Sequence, residues 1–269
     1  MPESKAQIRS VKSFILRTVR RFTGRNRCLN PEQGEEAKDG QPRNCGATFK
    51  GMNMTQSPLS GGAALLIGLV MLVVVAFEGT WAVVRHIDTM AHEGAHAIVS
   101  SLSGRGVRSI TIKPNGDGKT TFAGGGVSST FLITVVGYVG PSAFGLGAAK
   151  LIESGYILSM FWVFLVLLAI LLLAVRFSFA FVTVPLAGAL VFLVAKFAPA
   201  HTQVITAYAT AWLLLLSGVR TVVEHGLGAA DAKILRGATG IPKLIWSLLW
   251  LAGSLAALAV GGRLLVLGT

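Results

Sequence analysis

Charge is what this chain has least of. Only 13% of its 269 residues are Asp, Glu, Lys or Arg, about half the share found in an ordinary soluble domain. With 52% hydrophobic residues and a mean hydropathy of +0.65, it has too little polar surface to stay dissolved in water. The charges are also clustered, leaving long runs with none. A lipid solvent selects that pattern, because a charge at the bilayer centre costs several kcal/mol. A water-soluble globule is excluded and a multi-pass membrane protein is expected. Cysteine is nearly missing too: Cys28 and Cys45 match no metal or redox spacing, which leaves a disulfide or two free thiols. The net charge of +12 does not point to nucleic acid, since no RNA- or DNA-binding motif and no aromatic-interleaved basic patch accompanies it. Anionic lipid headgroups are the expected counter-charge.

A basic tail over residues 1–60 is expected to precede a membrane-embedded domain over residues 61–269. In the tail Ile8, Val11, Ile15, Val19 and Phe22 recur at helical spacing, with Lys5, Arg9, Lys12, Arg17, Arg20 and Arg21 on other faces. That is a basic amphipathic helix suited to a membrane surface. Two other readings stay open: an organelle transit peptide, or a true start at Met52 or Met54. From Asn30 to Gly46 the Pro, Gly, Glu and Asp content reads as a disordered linker.

The apolar runs predict an all-α polytopic fold of about seven membrane helices. They are Gly61 to Phe77, Trp81 to Leu102, Val127 to Ala149, Tyr156 to Val175, Phe177 to Ala195, Gln203 to Val219 and Leu244 to Gly262. The second is too polar to face lipid, so the others must surround it. Arg108 to Phe122 breaks the helical pattern. Its alternating Ile110 and Ile112, followed by a Pro-Asn-Gly-Asp-Gly turn, predict a β-hairpin. Open strand edges are not tolerated in lipid, which places the hairpin at the interface or against protein. With the N-terminus in the cytoplasm, all but four (Arg85, Lys150, Lys196, Arg263) of the 24 lysines and arginines fall inside, as the positive-inside rule requires.

Chemistry concentrates in His92-Glu93-Gly94-Ala95-His96, the HExxH pattern. Residues i and i+4 share a helix face, so both imidazoles can reach one cation while Glu93 is turned towards a bound water. Zinc lowers the pKa of such a water to about 7 and a carboxylate can carry its proton to the leaving amine. From 5 His and the glutamates of this chain, roughly 0.003 chance matches are expected, which answers the false-positive risk of short motifs. A third ligand is needed for one zinc per chain, with His86, Asp88, Asp117, His201, Glu224, His225 and Asp231 available. Asp88 lies a full turn before His92 and fits a partner for a ligand N–H better than a ligand. Asp117 suits the hairpin turn and His201 an exposed position. Asp231, in a small-residue stretch where a helix could begin, leads; His225 is second. For Gly137 to Ser142, close helix packing and a pocket wall facing the metal both stand.

The stretch HEGAHAIVSSLSGRGVRSITIKPNGDGKTTF, then GYVGPSAFGL from Gly137, then DAKILRGATGIPKLIW from Asp231, resembles the site-2 protease family of intramembrane zinc peptidases. It is most similar to a compact bacterial branch related to the sporulation factor protease. The resemblance covers Gly61 to the C-terminus. It implies zinc held by His92, His96 and Asp231, Glu93 as general base, and a hairpin beside the cleft; with the orientation from the basic residues, a bacterial cell membrane with the N-terminus cytoplasmic is expected. Better-known members carry Asn-Pro-Asp-Gly or Leu-Asp-Gly around the third ligand; here Asp231 is followed by Ala232. The expected activity is hydrolysis of membrane-anchored protein substrates near the cytoplasmic face, with the hairpin edge holding an extended peptide by β-augmentation. A proton- or metal-coupled transporter and a catalytically dead scaffold are the rivals.

Overall fold

The structure, a computed structural model, describes residues 56–176, 178–225 and 228–268. The chain separates into two units, Met1–Asn53 and Met54–Thr269, and every described residue belongs to the second. The basic amphipathic segment, the linker, Cys28 and Cys45 lie outside the described residues.

Helix α1 (Gly61–Ala76) opens at Ser60, whose side chain accepts from the Ala63 N–H. It stops at Phe77, where extended backbone (φ −81, ψ 126) turns the chain by 101° into α2 (Glu78–Leu102). The bend is held from a distant helix. Arg220 donates to the Val75 carbonyl left open at the end of α1, pairs with Glu78, and lies 4.5 Å over the Trp81 ring. Trp81 is 2% exposed and donates to Glu224 Oε2 at 2.9 Å.

The hairpin pairs β1 (Val107–Ile112) with β2 (Gly118–Phe122) in antiparallel register, Ile110 opposite Thr120 and Ile112 opposite Gly118. Its turn needs Gly116 at φ +86, and Asn115 Nδ2 donates to Asp117 Oδ2 at 2.8 Å. Ile110 and Ile112 are fully buried against Met90 and Ala97 of α2, so the ribbon rests on protein, as the absence of water in a bilayer requires. The outer edge of β1 is occupied: Ile110 bridges to Val175, its carbonyl accepts from the Arg176 N–H at 3.0 Å, and the Ile112 N–H reaches Ser178 Oγ. Among the described residues no strand covers the outer edge of β2.

Five further helices follow: α3 (Val127–Glu153), α4 (Ile157–Ala174), α5 (Ala180–Phe197), α6 (Ala200–His225) and the short α7 (Ala230–Thr239), before the last, α8 (Lys243–Leu267). Helix α3 is central, packed on α2, α6 and α8. Small residues let it approach its neighbours: a Cβ on Gly140 would sit 2.6 Å from Ala95 Cβ, and one on Gly145 2.9 Å from Leu215. Phe181, Leu186, Leu190 and Phe197 of α5 stay exposed, as residues bathed in acyl chains do.

Among the described residues α3, α4, α5, α6 and α8 are long and apolar enough to cross a bilayer, and the bent pair α1–α2 adds a sixth where it is counted as one span. Five to six spans therefore stand where seven were expected. The reason is the bend. Helix α1 has 16 residues, about 24 Å at 1.5 Å each, and polar α2 turns across the bundle instead of through it. A consequence concerns sidedness. Gln56 N–H bonds Gly155 O at the start of α4, whereas Ile110 pairs with Val175 at its end. The 18 residues of α4 separate these points by about 27 Å. Gln56–Ser60 and the hairpin thus lie at opposite ends of the bundle; the expectation had put the start of the first apolar run and the hairpin on one face. Arg85, assigned to the other face from Arg220, lies 3.7 Å from Glu224, which Arg220 also pairs.

Candidate metal centre

His92 and His96 sit one turn apart on α2, and α7 brings Asp231 to them. His92 Nε2 lies 3.1 Å from His96 Nε2, and Asp231 Oδ2 is 3.3 Å from each. A tetrahedral ion with bonds of about 2.0–2.1 Å spaces its ligands about 3.3–3.4 Å apart, so these three atoms could hold one zinc ion. Two imidazole nitrogens and a carboxylate oxygen are also a donor set that suits zinc.

The surroundings orient the group. His96 Nδ1 is 2.7 Å from the Ile133 carbonyl of α3, which assigns the ring proton to Nδ1 and frees Nε2. His92 meets the Tyr138 ring edge-on at 4.8 Å, and Tyr138 stacks on Trp250 at 4.6 Å. Burial works to raise the Asp231 carboxyl, but the neighbouring imidazoles outweigh it and hold that group below the usual carboxylate range. Gly137 is the wall: a Cβ there would lie 2.5 Å from His96 Nε2 and 2.7 Å from His92 Nε2. The packing and pocket-wall readings of Gly137 to Ser142 both hold, Gly137 serving the wall and Gly140 the packing.

Glu93 points to the hairpin. It is 4% exposed, and its Oε2 accepts from Thr120 Oγ1 at 2.5 Å; a hydrogen bond to a buried carboxylate contributes roughly 1.5–3 kcal/mol. Thr120 and Gly118 were not singled out as site residues from sequence, whereas Tyr138 fell within the Gly137 to Ser142 stretch. Hairpin alternation puts Gly118 and Thr120 on one face, but nothing local indicates that the face meets Glu93.

The other candidate ligands lie elsewhere. Asp88 is buried beside α6, where Thr221 Oγ1 donates to its Oδ2 at 2.7 Å, and its partner is therefore Thr221, with no bond to His92. His225 lies 3.8 Å from Glu224, which also engages Arg85, Arg220 and Trp81. Asp117 closes the hairpin turn, His201 is exposed at the start of α6, and His86 approaches Val83 O at 3.2 Å.

Fold and site define a polytopic membrane protein with a zinc-compatible His–His–Asp group inside it. The chain matches the Peptidase M50B-like family over residues 65–261 and belongs to it, and so to the site-2 protease family of membrane zinc metallopeptidases. No curated protein and no solved structure matches it.

Proposed function

We propose that the chain is an active zinc endopeptidase that cuts membrane-anchored proteins at the hairpin end of the bundle. The observation carrying this is the convergence of His92, His96 and Asp231, from helices far apart in sequence, with 3.1–3.3 Å between their ligand atoms. These residues would hold the metal, and zinc bound there would supply Lewis-acid activation of a water. Glu93 takes the proton of the attacking water on its carboxylate and returns it to the leaving amide nitrogen. Gly137 and Tyr138 shape the wall against which the imidazoles rest, and the surrounding helices keep bulk water out.

A substrate helix hides its scissile amide in its own hydrogen bonds and must unwind first. The outer edge of β2 suits the extended product of that unwinding by β-augmentation, because β1's outer edge is taken by Val175, Arg176 and Ser178. We assign the hairpin end to the cytoplasm. Among the described residues, Arg105, Arg108, Lys113, Lys119, Arg176, Lys233, Arg236 and Lys243 belong to that end, against Lys150, Lys196 and Arg263 at the other, the asymmetry of the positive-inside rule.

Co-expression with tagged single-span membrane proteins tests the reading. Wild type should release fragments that Glu93→Gln does not, while Glu93→Gln still inserts and still binds zinc. Equal fragments from both would refute the peptidase mechanism.

A further inference from the structure

The hairpin is fastened to α2 by a polar contact as well as by its isoleucines. Ile110 pairs with Thr120 and Ile112 with Gly118, so these four side-chain positions share one face of the ribbon. The isoleucines fill the apolar half of that face. The other half meets Glu93. Thr120 Oγ1 donates to Glu93 Oε2 at 2.5 Å and lies 3.5 Å from the Glu93 carbonyl. At Gly118 a Cβ would collide with Glu93 Oε1 and come within 2.6 Å of Thr89 Cγ2. Thr89 in turn donates to the Gly116 carbonyl at 2.7 Å, so α2 grips the strand and its turn from two positions one helical turn apart. Among the described residues no Lys or Arg pairs with Glu93.

We infer that Thr120 is a positioning residue for Glu93, which makes the hairpin part of the catalytic apparatus as well as a rest for substrate. The inference rests on the reading of Glu93 as proton carrier. A glutamate has three side-chain torsions and much rotamer freedom to lose. The Thr120 hydroxyl removes that freedom by fixing one oxygen, and the missing Gly118 side chain leaves room for the other. A hydroxyl is suited to the task because it donates a hydrogen bond without bringing charge. An ammonium or guanidinium in its place would hold the carboxylate by neutralising it and weaken it as a base. Misplacing a reacting group by about 1 Å can cost 10²-fold in rate, so loss of the donor should be read in turnover and not in substrate binding.

The test compares Thr120→Val, Thr120→Ser and, on α6 away from the hairpin, Thr206→Val, in full-length protein reconstituted with a single-span substrate. Four quantities are measured: kcat, KM, zinc per chain, and the Glu93 carboxylate infrared band, assigned with 13C-glutamate labelling against Glu93→Gln. Thr120→Val should lower kcat about 10–100-fold, shift the band, and leave KM and zinc unchanged. Thr120→Ser should restore both kcat and band, and Thr206→Val should change neither. Wild-type kcat or an unshifted band in Thr120→Val, or no restoration by serine, overturns the inference. If valine prevents insertion, Thr120→Ala is scored by the same criteria. Wild type that binds zinc but cuts nothing would refute the peptidase reading instead, and the band would still decide whether Thr120 holds Glu93.

Discussion

Replacing Gly137 with alanine adds one methyl group where the site leaves no room. The new Cβ would lie 2.5 Å from both Cε1 and Nε2 of His96 and 2.7 Å from His92 Nε2. Favourable contacts between such atoms fall at about 3.5–4.0 Å, so something must move by about 1 Å. The α3 backbone is held by close packing at Gly140 and Gly145. His96 cannot swing away without breaking its 2.7 Å bond to Ile133 O, and His92 is backed by Tyr138. The fold itself should survive. Overpacking costs about 1–3 kcal/mol, and alanine returns about 1 kcal/mol of helix propensity over glycine. Metal sites tolerate ligand displacements of only about 0.2 Å, so zinc affinity should fall by well over 10-fold. The assay is zinc per chain by mass spectrometry after dialysis against a weak chelator, paired with a thermal unfolding scan. Gly147→Ala is the control on the same helix, since its Cβ meets nothing within 4 Å. A Gly137→Ala protein with wild-type zinc affinity would refute the placement of α3 against the imidazoles.

Four further outcomes are expected. Asp231→Ala should lose zinc and cleavage while His225→Ala keeps the metal, measured by zinc content of the purified variants; the reverse would move the third-ligand role to His225. In a background without Cys28 and Cys45, single cysteines at Pro58 and Asn115 should be labelled by an impermeant maleimide from opposite sides of sealed vesicles. Labelling from the same side would restore α2 as a full span. Arg220→Ala should destabilise the fold by about 1–3 kcal/mol, the range for losing charged hydrogen bonds at a partly buried site, seen as a lower Tm; an unchanged Tm would mean that the bend at Phe77 holds without its clasp. Deleting residues 1–51 should leave zinc content and cleavage largely unchanged, because the His92, His96 and Asp231 group lies outside them.

Local pattern made part of this legible. The spacing of His92 and His96 is a helix-face statement, the Pro-Asn-Gly-Asp-Gly turn is a hairpin statement, and Asp231 led because its depth matched theirs. The bend was hidden because no proline marks Phe77 and the apolar run before it is unbroken; the residue that closes over it, Arg220, lies far along the chain. Asp88 was assigned towards His92 from helix periodicity alone, and Thr221 competes for it from α6. The Thr120–Glu93 contact joins a strand to a helix, and such pairings have no signature in either segment.

The order of helices also sets when the site can exist. His92 and His96 belong to the second described helix and Asp231 to the one before the last. At a synthesis rate of about 5–20 residues per second, the carboxylate emerges on the order of ten seconds after the imidazoles. Until then an inserting chain carries two histidines on a helix and no three-ligand cavity. On the reading proposed above, loading with metal would be deferred until the bundle has closed, so a peptidase built in this order would stay inert towards its neighbours in the membrane throughout its own assembly.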